Sequence, residues 1–122
     1  MSRSISIGYM ESPGGPETSI EVSAPYFLLG TQQTSLQFWS LPVWERIGVK
    51  QLAILGETDP VYFWGWEMMD ELADELRLYQ EHLAEIEFQP EVKAAWLAHL
   101  IYCYSLLVSQ APHDSIPVLG IG

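Results

Sequence analysis

The sequence predicts an α+β fold in which an N-terminal antiparallel β-hairpin or small sheet packs on a C-terminal two-helix hairpin, with one short helix between them. Three observations carry this reading. Apolar residues alternate with period two in the first third of the 122-residue chain, they recur at steps of three and four in the second half, and proline and glycine punctuate the change. With 48% apolar and 17% charged residues, the chain has material for one core. It reads as a single domain over 1–122, in which 1–57 is mainly strand with a short helix near 41–47, 60–110 is a helical hairpin and 111–122 is a tail.

In Ser4 to Tyr9, Ile5, Ile7 and Tyr9 alternate with Ser4, Ser6 and Gly8; in Ser19 to Ala24, Ile20, Val22 and Ala24 alternate with Ser19, Glu21 and Ser23. Each pattern is a strand with one buried face. Ser12-Pro13-Gly14-Gly15-Pro16 lies between them as the hairpin loop. A third strand is expected over Tyr26 to Leu29, then a loop around Thr31 to Gln33. Ser40 as N-cap, Pro42 in the first turn and Gly48 at the exit bracket the short helix, with Leu41, Trp44 and Ile47 on one face.

Lys50 to Leu55 reads as a strand, and Val61 to Trp64 as either a strand or the opening of a helix. From Trp66 to Glu87 the spacing of Met69, Leu72, Leu76, Tyr79, Leu83 and Ile86 predicts an amphipathic helix. After Phe88 and Gln89, Pro90 opens a second helix that runs to about Ser109, before Pro112. Its two apolar rows, one of Trp96, Leu100, Cys103 and Leu107 and one of Leu97, Ile101, Tyr104 and Val108, place it centrally. The apolar tail from Ser115 to Gly122 is expected to add an edge strand or to lie over the core.

Charge is distributed unevenly. The formal net charge is −11, from 16 acidic and 5 basic side chains. Nine of the acids and one base lie between Val61 and Glu91, so that segment holds −8, and the other seven acids and four bases leave −3 for the rest. Nucleic acid is excluded as a ligand on this ground, because phosphate contacts need lysine and arginine. With Met69 as heptad position a, Glu67, Asp74 and Glu81 fall at f, Glu71 and Glu85 at c, and Asp70 at b. Glu67 with Glu71, Asp70 with Asp74, Glu71 with Glu75 and Glu81 with Glu85 are like-charge i, i+4 pairs, each costing about 0.2 to 0.5 kcal/mol. Glu81, Glu85 and Glu87 also approach the negative end of the helix dipole. A solvated face accounts for such a stripe; a basic partner would relieve its repulsion.

Cys103 stands alone, so no internal disulfide is expected, and the start MSRSISIG lacks the apolar core of a secretory signal. A cytoplasmic protein is the expectation. The apolar stretch from Ala94 to Val108 is 15 residues long, short of the roughly 20 that span a bilayer, so no membrane partner is expected.

Glu57 and Asp59 follow the strand expected at Lys50 to Leu55, a place where paired carboxylates do acid and base work when burial separates their pKa values. Against this, Asp59 before Pro60 reads as the cap of a helix start, which is the preferred explanation. His99 and Cys103, one turn apart, have the spacing of two zinc ligands, but no His-Glu-x-x-His accompanies them and Cys103 lies in an apolar row, so no metal is expected. Gly-x-Ser-x-Gly and phosphate-loop signatures are absent, no catalytic residue is assigned, and no cofactor is expected. Of five tryptophans, Trp44 and Trp96 suit the core; Trp39, Trp64 and Trp66, with Tyr62 and Phe63, either fill the core, as a small domain needs, or line a pocket beside the start of the acidic helix.

These readings converge on an acidic, non-enzymatic interaction protein that binds a basic protein through Glu67, Asp70, Glu71, Asp74, Glu81 and Glu85, with Trp64 and Trp66 as anchors. In size and charge the chain resembles the small acidic immunity or inhibitor proteins of bacteria that neutralise basic toxins or nucleases; the resemblance is one of composition, without a shared motif. Two alternatives stand beside it. One is a homo-oligomeric structural protein using the Met69–Ile86 seam or the apolar tail, and the other is a small-molecule-binding protein or enzyme using Glu57, Asp59 and the aromatic pocket.

Overall fold

A computed structural model describes residues 2–122. The strands are β1 (Ser2–Met10), β2 (Glu17–Ile20), β3 (Leu28–Thr31), β4 (Val61–Trp64) and β5 (Ile116–Ile121); the helices are α1 (Gln32–Trp39), α2 (Val43–Ile47), α3 (Trp66–Glu81) and α4 (Pro90–Gln110), with 3-10 turns at Leu52–Gly56 and Leu83–Glu85. The α+β class is as the sequence predicts: an antiparallel sheet in the order β2-β1-β5-β4 covers the α3–α4 hairpin on one face. β3 pairs with β1 on the same edge as β2.

That shared edge decides where β2 stops. Ile7 lies opposite Ile20, but Ile5 N already donates to Phe27 O, and Ser4 faces Leu28. β2 therefore ends at Ile20 rather than at Ala24, and β3 begins two residues later than Tyr26, after a turn closed by Tyr26 N to Ser23 O. The residues expected as a loop at Thr31 to Gln33 open a helix instead. Thr31 Oγ1 accepts from Thr34 N, and Ser35, Phe38 and Trp39 at i, i+3 and i+4 turn inward. The next short helix is as read, except that it starts at Val43 behind Pro42, without a side-chain cap from Ser40; Gly48, at φ 88°, closes it.

Lys50 to Leu55 is not a strand. The Glu75 carboxylate of α3 gathers the N–H groups of Lys50, Gln51 and Leu52 and winds the segment into a 3-10 turn. Asp59 caps no helix, because Pro60 leads into β4; its Oδ2 accepts from Gln32 Nε2 at 2.6 Å instead, and its Oδ1 lies 3.6 Å from Arg3 Nε. Arg3 is fully buried and donates to Ser35 Oγ, Leu55 O and Thr58 O, joining β1, α1 and the 3-10 turn.

The long acidic helix ends at Glu81, not Glu87. His82 leaves helical geometry, Tyr79 Oη donates to Lys93 O, and Lys93 Nζ donates to Leu83 O and Ile86 O, so the reversal into α4 consumes residues 82–89. α4 runs 21 residues, and by length and composition alone it passes for a membrane span, although the apolar stretch within it is shorter. Its Trp96, Leu97, Leu100, Cys103 and Leu107 are buried here. The tail β5 is neither an edge nor a cover but a central strand between β1 and β4.

At one end of the core, Phe38 stands edge-on to Trp39, Trp44, Phe88 and Trp96 with centroids 4.8 to 5.2 Å apart, and Tyr79 joins from the last turns of α3. Gly30, at φ 75°, closes the side toward β3, where an added Cβ would sit 2.5 Å from Trp96 Cζ2.

Candidate functional site: the acidic flank of α3 and the aromatic edge of β4

Gly65, with φ 89° and ψ 156°, converts β4 directly into α3: its N–H pairs with Pro117 O while its carbonyl accepts from Met69 N. α3 then packs Met69, Leu72, Leu76 and Tyr79 inward. The opposite side carries Glu67, Asp70, Glu71, Asp74 and Glu81, all exposed.

Among the described residues, ion pairs within 4 Å join Arg3 to Asp59, Arg77 to Glu81 and His82 to Glu85. The stripe therefore has two halves. Glu81 and Glu85 have local partners, and because the helix stops at Glu81 they do not form the i, i+4 pair expected of a continuous helix. Glu67, Asp70, Glu71 and Asp74 have no ion pair in the described structure; Glu71 Oε2 accepts only from Gln51 Nε2, at 3.2 Å. Arg3 is buried and Lys93 is bonded to carbonyls, so neither is available to this half. Glu75, read only as the i, i+4 neighbour of Glu71, is internal and holds the 3-10 turn.

Asp70 and Asp74 also face α4. The Tyr104 hydroxyl is held above the usual phenol range first by burial and then by the negative charge of these two carboxylates. A shallow cleft of about 320 Å³ lined by Gln51, Glu71, Asp74, Glu75 and the exposed Lys50 continues the acidic surface, with no ion pair within 4 Å from Lys50 among the described residues.

Trp64 lies exposed on the outer face of β4, and its N–H meets Met68 Sδ at 3.5 Å in the first turn of α3. Trp66 is half-buried and donates from Nε1 to Ser115 O at 2.9 Å. Trp39 does not join them: it packs against Trp44 and Tyr79, at the far end of α3. Phe63 is buried as well, so Trp39 and Phe63 follow the core-filling reading, and the five aromatics do not assemble the alternative pocket beside the helix start. Tyr62 remains, more exposed than either tryptophan, and the alternation of β4 is the signal that marks it.

The other candidate groups are dispersed. Glu57 opens on a cleft with Trp39, Ser40 and Lys50, whereas Asp59 opens on another with Ser6, Gln32 and Tyr62. His99 Nδ1 lies 2.7 Å from Leu28 O, and Cys103 Sγ donates to Tyr26 O. Burial pushes the Cys103 thiol up to about 11, away from the reactive thiolate. Both surfaces expected for self-association, the Met69–Ile86 seam and the tail, are largely buried within the monomer. No protein-family model, curated protein or solved structure matches this chain.

Proposed function

We propose that this chain is an acidic, non-enzymatic interaction module that binds a basic protein partner, in the manner of an inhibitor or immunity-type protein. One observation carries the reading: Glu67, Asp70, Glu71 and Asp74 stand exposed on one side of a helix with no ion pair among the described residues. Four carboxylates held at helical spacing by the packed Met69, Leu72 and Leu76 form a fixed negative field, which steers a basic surface and speeds encounter. Trp64 at the adjoining sheet edge supplies the ring that loses water on contact.

The test is capture from the native host's soluble extract at about 0.1 M and about 1 M salt, between which the screening length falls from about 10 Å to about 3 Å. A basic protein retained at the lower salt and released at the higher supports the reading. Retention that ignores salt, or the capture of no basic protein, refutes it.

A second reading, a homo-oligomer, is favoured by the shallow apolar groove along α4, where Ala98, Ile101, Tyr102 and Leu106 lie beside a Tyr26 ring stacked on Tyr102 at 4.0 Å. Sedimentation over a range of concentrations separates the two. A strict monomer removes the second reading.

A further inference from the structure

The register of β4 determines which of its backbone groups are paired. Gly65 N donates to Pro117 O, and Phe63 and Val61 lie opposite Leu119 and Ile121, so residues 61, 63 and 65 direct their N–H and C=O groups at β5. Those of Tyr62 and Trp64 point the other way, off the end of the sheet order β2-β1-β5-β4. The acceptor that Trp64 N finds there is a thioether, which is a weak one.

Sheet edges are normally blunted by charge, proline or a bulge. The opposite edge strand follows this rule, since β2 is preceded by Pro16, begins at Glu17 and is followed by Glu21. β4 does not. Val61-Tyr62-Phe63-Trp64 is an uncharged run of strand-forming residues, and its outward side chains are 58% exposed at Tyr62 and 53% at Trp64. The Tyr62 ring lies flat across β5, where a Cβ on Gly120 would come within 2.8 Å of its Cδ1 and Cε1 and 3.0 Å of Ser6 Oγ.

We infer that β4 accepts an extended, basic segment of the partner as a sixth strand on the five-stranded sheet. Its main chain would pair with the outward groups of Tyr62 and Trp64, and alternate side chains would lie on the two aromatic rings and along the near flank of α3. The identity of the occupant follows from that flank. Met68, whose sulfur reaches Trp64 N, marks the side of α3 that borders the edge, and Glu71, three residues on along that side, is exposed. A second copy of β4 would bring the same carboxylate from another chain of charge −11, whereas lysine or arginine side chains would meet opposite charge. The inference rests on the acidic face being the partner surface and adds the mode of contact.

The probe is a synthetic peptide of alternating lysine and valine, compared at low salt with its fully N-methylated counterpart, which keeps the charge and loses every backbone donor. Strand addition predicts that the unmodified peptide binds at least about tenfold more tightly and slows hydrogen exchange at the Tyr62 amide by at least about tenfold at saturation. Tyr62→Pro removes a donor that β5 does not use and should weaken binding of the unmodified peptide, while Tyr62→Thr should keep it. Should Tyr62→Pro fail to fold, the peptide pair and the exchange measurement still decide. Equal binding of both peptides without protection at Tyr62 overturns strand addition and leaves the acidic-surface reading standing. No binding of either peptide overturns both. Protection at Tyr62 that grows with protein concentration, without peptide, overturns the inference in favour of a second copy.

Discussion

Glu75 Oε1 accepts the backbone N–H of Leu52 at 2.9 Å, while its Oε2 takes those of Lys50 and Gln51. One carboxylate of the acidic helix thus holds the turn that precedes β4, and the neighbouring Glu71 and Asp74 remain on the surface. The two kinds of acid should respond oppositely to neutralisation. Glu75→Ala leaves three amides without their charged acceptor and is expected to cost about 3 kcal/mol of stability. Glu71→Gln with Asp74→Asn relieves like-charge repulsion and should leave the urea midpoint unchanged or slightly raised. Equilibrium unfolding of the two variants checks this, and equal losses would contradict the assignment.

Two glycines share the same left-handed φ. Gly14 and Gly30 have φ 76° and 75°, but a Cβ at Gly14 meets nothing within 4 Å, whereas one at Gly30 falls 2.5 Å from the Trp96 ring. Gly14→Ala should cost about 1 to 2 kcal/mol, the left-handed penalty alone. Gly30→Ala adds overpacking and should cost about 2 to 5 kcal/mol, with a shift in tryptophan fluorescence as Trp96 yields. Equal costs would place the β3–α4 contact elsewhere.

Alkaline pH should destabilise the fold. Burial raises the Cys103 thiol from its ordinary 9.0 to about 11, raises the Tyr79 hydroxyl, and raises Tyr104 with the help of Asp70 and Asp74. For each of these acids the unfolded chain gives up its proton first. The thiol's contribution is fully present below about pH 9 and is lost as pH rises toward about 11. Urea midpoints measured across that range should fall, and Cys103→Ala should make the fall shallower. A midpoint that rises with pH in this window would contradict the burial of these groups.

Where one chemical cause acts locally, the fold was legible in the sequence. Ile5 and Ile7 announce β1, the steps from Met69 to Tyr79 announce α3, and Pro90 announces the start of α4. Elements determined by distant partners were not. Lys50 to Leu55 has the apolar look of a strand and becomes a 3-10 turn because of Glu75, more than twenty residues away. β2 stops early because β3 occupies the rest of one edge of β1. β5 is central because β4 arrives on its far side, and its nearly unbroken apolar run Ile116–Ile121 signals cover on both faces, not which strands pair with its edges. In the candidate site, spacing located Glu67, Asp70, Glu71 and Asp74. It missed the inward turn of Glu75 and the break after Glu81, because an acid that bonds backbone amides and one that faces solvent look alike in a heptad.

The most direct test is the association rate of the captured basic protein at about 0.1 M salt, measured against the native chain and against Glu67→Gln/Asp70→Asn/Glu71→Gln/Asp74→Asn. A control, Glu11→Gln/Glu17→Gln, removes exposed acids at the other end of the sheet order. The account predicts at least about a tenfold slower association for the α3 variant and a change under about twofold for the control. An unchanged rate for the α3 variant would contradict it.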